Sequence, residues 1–419
     1  MLLALTVSIG IGIPVIDTSS FSISLTDALV ALFLPVALYH IVANQIKWST
    51  TLTDYGTLIF ASALLISLVH PGNQNSFLSV LGLLRLVLFY ITMRLLMGLT
   101  GTTVNPVLNR AFSWMIYLLV GTGILGLVLF ACGVNNPFIL VRDYYYGLLP
   151  VQLSGTDGHP NGAAQLLFIS ALIIFYTRRD EDQIPWLPIF IALAGLILTQ
   201  AKSNLVYLGI AVTAYLVWSN SNSFIQRLGY FTSGVLILVY LLISHWFPVQ
   251  NQYKETHESQ IPVYLDTSEM IWKGQRYTIY PTHYTTNKKA AWACFKEYPW
   301  MGIGPRNYIP FVDSLQEAGG YPAACRFKNP HSMYTGILAK FGLTGLLGWM
   351  AFFISILVTL KNITGWGMRV LFAGLWAVVF FDGWTDDMEY SRVMWFLIAW
   401  LAACRKVNFS NLKLEKQLL

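Results

Sequence analysis

Long apolar runs divided by short polar turns set the pattern of this chain. They fall at Leu2 to Ile16, Ala28 to Ile46, Leu52 to Val69, Phe77 to Met97, Ala111 to Cys132, Ala163 to Tyr176, Ile184 to Leu198, Leu205 to Trp218, Tyr230 to Trp246, Ser332 to Leu360, Val370 to Phe381 and Met394 to Cys404. Continuous runs predict α-helices and argue against a transmembrane barrel, whose strands alternate. Read as membrane spans they give about twelve, the shorter ones tilted or half-inserted. One connection is different: Pro248 to Pro330 has no apolar run and far exceeds an ordinary loop. The predicted layout is nine spans over residues 1–248, an extracytoplasmic loop domain at 249–330, three spans over 331–404 and a cytoplasmic tail at 405–419. Within the loop, Thr285-Thr286-Asn287 starts an amphipathic helix and Pro299 stops it. Ala291, Phe295 and Tyr298 recur at helical spacing, with Lys289 and Lys296 opposite, so the helix lies on the membrane or on the bundle.

Composition supports this reading. Only 11% of residues are charged and 55% are hydrophobic, against about 25% charged in a soluble domain. There is too little polar surface for a soluble enzyme, a disordered chain, collagen or a disulfide scaffold. The fold class is all-α and polytopic. Met1 to Ile16 lacks the basic start and small-residue cleavage site of a signal peptide, so it reads as a retained first span. The net charge of +6 does not imply nucleic acid, because the basic residues form no stripe with interleaved aromatics. Their placement is topological. With the N-terminus inside, Lys47, Arg94, Arg110, Arg178, Arg179, Arg227, Lys361, Arg369, Arg405 and Lys406 all become cytoplasmic, whereas the opposite short loops hold Arg142, Lys202 and Arg392. An even span count then puts both termini inside.

The cysteines carry little chemistry. Cys132, Cys294 and Cys325 fall outside and Cys404 inside, so an outer pair such as Cys294 with Cys325 has the compartment to oxidise, but a buried thiol is the simpler reading. No Cys/His cluster suggests a metal.

Candidate chemistry lies in the polar residues of the outer face. Asn329-Pro330-His331-Ser332 precedes an apolar helix, and cap-forming Asn329 with Pro330 in the first turn puts His331 in the positive field of the helix start. That field disfavours imidazolium and suits a general base; the alternative is a polar cap wetting the helix end. Pro299-Trp-Met-Gly302-Ile-Gly304-Pro-Arg306-Asn307-Tyr308 has no preceding strand and no βαβ unit, so it is no dinucleotide site. It reads as a rigid turn holding the external helix, with Arg306 aimed at an anion or merely solvated. Arg142, Lys202, Arg276, Arg306, Arg326 and Lys328 supply positive charge on this face, where a few of them converging would bind a diphosphate. Asp382, Asp386, Asp387 and Glu389 in the last outer loop suit either a divalent cation or a solvated loop.

Together these motifs resemble the C-terminal signature of the O-antigen ligase and O-antigen polymerase superfamily. The resemblance rests on Gly-Gln-Arg276, the Gly302-Ile-Gly304-Pro-Arg-Asn-Tyr308 segment, and Pro-His331-Ser followed by Phe-Gly342-Leu-Thr-Gly345. Thr199-Gln-Ala-Lys202-Ser203 is similar to the family's Thr/Ser-Arg element, and Arg142 with Gly158-His-Pro-Asn161 to its earlier external loop. The resemblance implies a GT-C-like, metal-independent, inverting glycosyltransferase without a cofactor, on the periplasmic face of a bacterial inner membrane. The implied donor is a glycan on undecaprenyl diphosphate. The acceptor is the lipid A core for a ligase, or another lipid-linked repeat unit for an O-antigen or exopolysaccharide polymerase. By this likeness His331 is the base, Arg142, Lys202, Arg276 and Arg306 hold the diphosphate, and Asn161, Gly302, Gly304 and Asn307 position the acceptor or the loops. Lys202 stands where the family usually has Arg, which keeps the charge and loses the bidentate fork.

A transporter or flippase is the rival class, with intramembrane Arg85 and Lys340 along its path. No internal repeat is visible and the polar residues gather on one face, which favours an enzyme.

Overall fold

The computed structural model describes residues 1–11, 14–17, 22–43, 50–68, 76–141, 151–157, 159–178, 186–219, 223–251, 265–322, 328–363, 366–384, 386, 388 and 391–404. Among these it is mainly helical. The helices are α1 (Leu2–Ser8), α2 (Leu25–Val42), α3 (Leu52–Leu68), α4 (Ser76–Thr100), α5 (Val104–Ala131), α6 (Pro160–Arg178), α7 (Trp186–Thr199), α8 (Asn204–Ser219) and α9 (Ser223–His245). After them come α10 (His283–Glu297), α11 (Tyr308–Glu317), α12 (Met333–Lys361), α13 (Trp366–Asp382) and α14 (Arg392–Cys404).

Six helices among the described residues are long and apolar enough to cross a membrane: those at Leu25–Val42, Ser79–Thr100, Val104–Ala131, Pro160–Thr177, Phe224–His245 and Met333–Lys361. The first apolar run departs from the single span expected of it. Its helix covers Leu2–Ser8, and Pro14–Asp17 is a strand, β1, paired antiparallel with β2 (Ser22–Ser24). Gly10 and Pro14 interrupt the apolar sequence, and a helix this short covers only about 10 Å. It docks by its end, where the Thr26 hydroxyl donates to the Ser8 carbonyl and that of Thr156 to Gly10.

Small sheets are a second departure from an all-α chain. β3 (Ile139–Val141) pairs with β4 (Val151–Leu153). β5 (Trp246–Gln250), β6 (Trp272–Lys273) and β7 (Tyr277–Pro281) form an antiparallel sheet in the order β5-β7-β6. Outside a helix, backbone N–H and C=O groups near a membrane boundary need partners, and short hairpins supply them. Alternating Tyr277, Ile279 and Pro281 carry that signal weakly beside the much longer apolar runs.

The main core is one contiguous apolar cluster spanning most of the helices. At its centre α14 is buried from Val393 through Ala402, with Trp395 and Trp400 fully enclosed. A helix apolar on every side fits only inside a bundle. Helices α3 and α12 lie antiparallel at close approach, since a Cβ on Gly56 would strike Ser355 and one on Gly348 would strike Ala63. Small residues allow this in a membrane, where packing and hydrogen bonds rather than hydrophobicity bind helices together. The Thr53 and Thr359 hydroxyls share a 2.8 Å hydrogen bond at one end, and Ser67 donates to the Phe341 carbonyl at 2.9 Å at the other.

Phe341 precedes a break in α12. Gly342 has φ 63° and ψ −158°, far from helical values. The freed backbone groups are met by the turn after α10: Leu343 and Thr344 N–H donate to the Pro299 and Trp300 carbonyls at 2.8 and 3.1 Å. In return Ile303 and Gly304 N–H donate to the Ala339 and Lys340 carbonyls at 3.0 and 2.9 Å. Gly302, at φ 67°, allows the contact, because a Cβ there would strike the Lys340 backbone, and one on Gly342 would strike Trp300. The glycines of the Gly302-Ile-Gly304 segment thus splice the turn to the broken helix. Gly342→Ala is expected to destabilise the protein by about 1–3 kcal/mol, through positive φ and backbone collision together. Gly121→Ala, whose Cβ meets nothing within 4 Å, serves as the control. Thermal unfolding in detergent checks this, and equal midpoints for parent and Gly342→Ala would contradict it.

Candidate active site

The splice fixes one wall of a site at the start of α12. The buried face of α10 (His283, Thr286, Asn287, Ala290, Ala291 and Cys294) turns inward. It shares a small core with Tyr308, Phe311 and Val312 of α11 and Ala339 of α12. Cys294 is a free thiol, its Sγ 3.6 Å from the Ala339 carbonyl, and burial, reinforced by Glu297, pushes it up to about 12. Its expected alternative partner, Cys325, lies outside the described residues. The helix starts at His283, ahead of the Thr285 expected from sequence. Thr282, at its cap position, spends its hydroxyl on the Ser244 carbonyl, and its N–H donates to His245 at 2.9 Å.

His331 stands at the N-terminal mouth of α12, but not in the first turn. The helix begins at Met333, and His331 is outside it at φ 45°, a conformation uncommon for a residue with a Cβ. Asn329 does not cap the helix; its Oδ1 accepts from the His331 N–H at 3.5 Å. The first helical N–H, Met333, donates instead to the Gly383 carbonyl at the end of α13, 2.7 Å away. This docking pulls the helix start past His331, and the field argument for a first-turn histidine does not apply. Two α10 rings surround it instead, His283 at 5.1 Å and Tyr284 at 5.2 Å between centroids, both near-perpendicular. Sequence reasoning missed these two because they lie just before the predicted helix.

From Gly383 a hydrogen-bonded frame runs to the other helix ends. Neighbouring Asp382 is buried, and its Oδ2 accepts from Gln165 Nε2 at 2.7 Å and from Tyr207 Oη at 2.8 Å. Gln165 lies one turn after Asn161 on α6, and Tyr207 little more than one turn after Lys202 on α8. Asp382 is therefore a strut and not part of a solvated loop. Among the described residues no three His, Cys, Asp or Glu side chains converge as metal ligands; Asp387 and Glu389 lie outside these residues.

Of the cations anticipated for a diphosphate, Lys202, Arg276 and Arg306 lie among the described residues. Lys202 sits half-buried in the turn before α8. That turn is tied to β4, because Gln200 Nε2 donates to the Val151 carbonyl at 2.9 Å and Gln152 Nε2 to that of Gln200 at 3.3 Å. Arg142 follows β3 directly and lies outside the described residues, as does Arg326. Asn161 is exposed in the first turn of α6. Arg276 and Arg306 are exposed and, among the described residues, make no side-chain ion pair or hydrogen bond. Asn307 is buried and closes its own turn, with Nδ2 donating to the Ile303 carbonyl at 2.9 Å. Lys328 pairs with Asp313, and Arg85 with Asp27, which Arg392 also approaches at 3.3 Å.

A different cation, Lys288, stands one turn along α10 from Tyr284, the ring that packs on His331. Its Nζ lies 2.7 Å from His245 Nε2 and 4.5 Å from the centroid of the Trp384 ring. Burial lowers its amine to about 7. In the sequence only the place of position 288 between the polar and apolar faces of α10 hints at this.

Residues 187–350 match the family model for O-antigen ligase. The resemblance to the O-antigen ligase and polymerase superfamily thus holds from α7 to the middle of α12, across Lys202, Lys288, the spliced turn and His331. No curated protein matches the chain. The six apolar helices fit a multi-pass membrane protein, and its residues 187–350 are similar to O-antigen ligases.

The lowered Lys288 value has a consequence for stability. The fold disfavours the charged amine, a penalty fully present below pH 7 and relieved as pH rises from about 7 toward the ordinary lysine value of about 10.4. Lys288→Met is expected to unfold at a higher temperature than the parent at pH 6, with the gap narrowing toward pH 10. A gap that widens with pH would contradict this assignment.

Proposed function

We propose that the protein transfers a glycan from undecaprenyl diphosphate to a sugar hydroxyl on the periplasmic face of a bacterial inner membrane. It acts as an O-antigen ligase, with the lipid A core as acceptor. The observation that carries this reading is the O-antigen ligase match over the segment that holds His331 among aromatic rings at the mouth of a broken helix. In this reading the loops rich in Lys and Arg are cytoplasmic, and the segment from β5 to α11 lies outside with the site.

His331 takes the proton of the acceptor hydroxyl. The oxygen attacks the anomeric carbon from the side opposite the diphosphate, the bond to the diphosphate breaks, and the configuration inverts. Lys202, on a turn tied to β4, and Arg142 hold the leaving diphosphate. Exposed Arg276 and Arg306 reach it from the external segment. Cations alone balance the departing charge, so no metal or cofactor enters the scheme. Gly302, Gly304 and Asn307 keep the turn in register with α12, and Asn161 faces the acceptor.

His331→Ala is expected to insert and fold normally yet transfer glycan some 10² to 10⁴ times more slowly, the usual worth of a positioned base. The assay uses purified protein in detergent, labelled undecaprenyl-diphosphate glycan and lipid A core, with and without chelator. A fully active His331→Ala protein would contradict the assignment of the base, and loss of parent activity with chelator would contradict the metal-free scheme. Label that accumulates in longer lipid-linked glycan instead of the core would make the enzyme a polymerase.

A further inference from the structure

Lys288 is held unlike Lys289 and Lys328. Lys289, its neighbour, pairs with Glu269, and Lys328 with Asp313. Among the described residues no carboxylate lies within ion-pair distance of Lys288. Its two contacts are uncharged. His245 Nδ1 lies 3.0 Å from the Leu241 carbonyl, which fixes the ring proton there and leaves Nε2 as an acceptor. Nε2 then faces both Lys288 Nζ at 2.7 Å and Trp384 Nε1 at 3.2 Å. The Trp384 ring lies beneath the amine and also packs against Tyr334, 6.0 Å away and three residues after His331.

An ammonium group that is half-buried without a counter-ion is costly, and a charge so placed normally meets a charged partner. His245 takes up one of its three N–H donors, which leaves the others for a ligand. Position narrows the class of that ligand. His245 ends the apolar helix Phe224–His245, and Trp384 follows α13 by two residues, so the amine stands where an apolar span gives way to the external segment. At that level the abundant anion is a phosphate carried on a lipid.

We propose that Lys288, fixed by His245 and Trp384, binds a phosphate oxygen of a lipid-anchored molecule beside His331. The inference rests on the transfer reading above for its setting and not for its chemistry. Two sources present the same group: the diphosphate of a polyprenyl-linked donor and the headgroup of an anionic phospholipid.

The test is calorimetric titration of the purified full chain in maltoside detergent, with farnesyl diphosphate, farnesol and a short-chain phosphatidylglycerol as probes. Binding of farnesyl diphosphate but not farnesol, weakened tenfold or more in Lys288→Gln and partly restored in Lys288→Arg, is the expected result. Preferential binding of phosphatidylglycerol with the same dependence on Lys288 supports the site and assigns it to the headgroup. Unchanged affinity for both phosphates in Lys288→Gln would overturn the proposal. Should Lys288→Gln not fold, Lys288→Met and His245→Gln give the same comparison. In the transfer assay Lys288→Gln should raise KM for the donor and leave KM for the acceptor in place, a split that a merely structural lysine would not produce. An active parent with Lys288-independent binding defeats this inference alone, whereas Lys288-dependent binding by an inactive parent defeats the transfer reading alone.

Discussion

The break in α12 at Gly342 is the constraint on which the rest of the architecture depends. A helix interrupted among membrane spans exposes backbone groups that no lipid can satisfy. Here the turn from Pro299 to Gly304 satisfies them with four backbone hydrogen bonds, and Ser67 of α3 takes the Phe341 carbonyl. One interruption therefore joins three helices: α10, α12 with His331 at its mouth, and α3, packed closely along α12. Gly302 and Gly342 are required for the space a Cβ would occupy as much as for their dihedral angles.

With α10 fixed this way, the site is assembled from helix ends rather than from a loop. His283 and Tyr284 face His331, Lys288 reaches His245 and Trp384, and the docking of Met333 on Gly383 ties both groups to α13. Asp382, one residue back, then joins α6 and α8 through Gln165 and Tyr207. Groups supported on rigid elements in this manner are held in place without the ordering cost a mobile loop imposes. Burial of the Lys288 amine, with no carboxylate in ion-pair distance among the described residues, runs against stability.

Much of this was legible in the sequence wherever a single helix decided the outcome. Ten of the twelve apolar runs lie largely on helices α2 to α9, α12 and α13, a further one on α14, and the amphipathic segment before Pro299 is α10. The segment of Gly302 and Gly304 reads correctly as a turn holding that helix. What escaped were features set by partners distant in the chain. His331 was expected in the first helical turn, and only the Gly383 carbonyl, more than fifty residues on, explains why the helix begins later. Asp382 looked like a loop carboxylate because Gln165 and Tyr207 are remote in sequence. Lys288 drew no notice because its significance lies in what does not surround it, and the strands β5 to β7 were overshadowed by longer apolar runs.

In the proposed function the mouth of α12, walled by α10 and the end of α13, receives a lipid-borne diphosphate. Photo-crosslinking tests it most directly, with a polyprenyl diphosphate that carries a diazirine next to the diphosphate, added to the purified protein in detergent and mapped by mass spectrometry of the peptides. Label is expected to concentrate on His283 to Lys288, Asn329 to Tyr334 and Gly383 to Trp384, and to be displaced by unlabelled farnesyl diphosphate. Label confined to other helices, or label that unlabelled diphosphate does not displace, would contradict it.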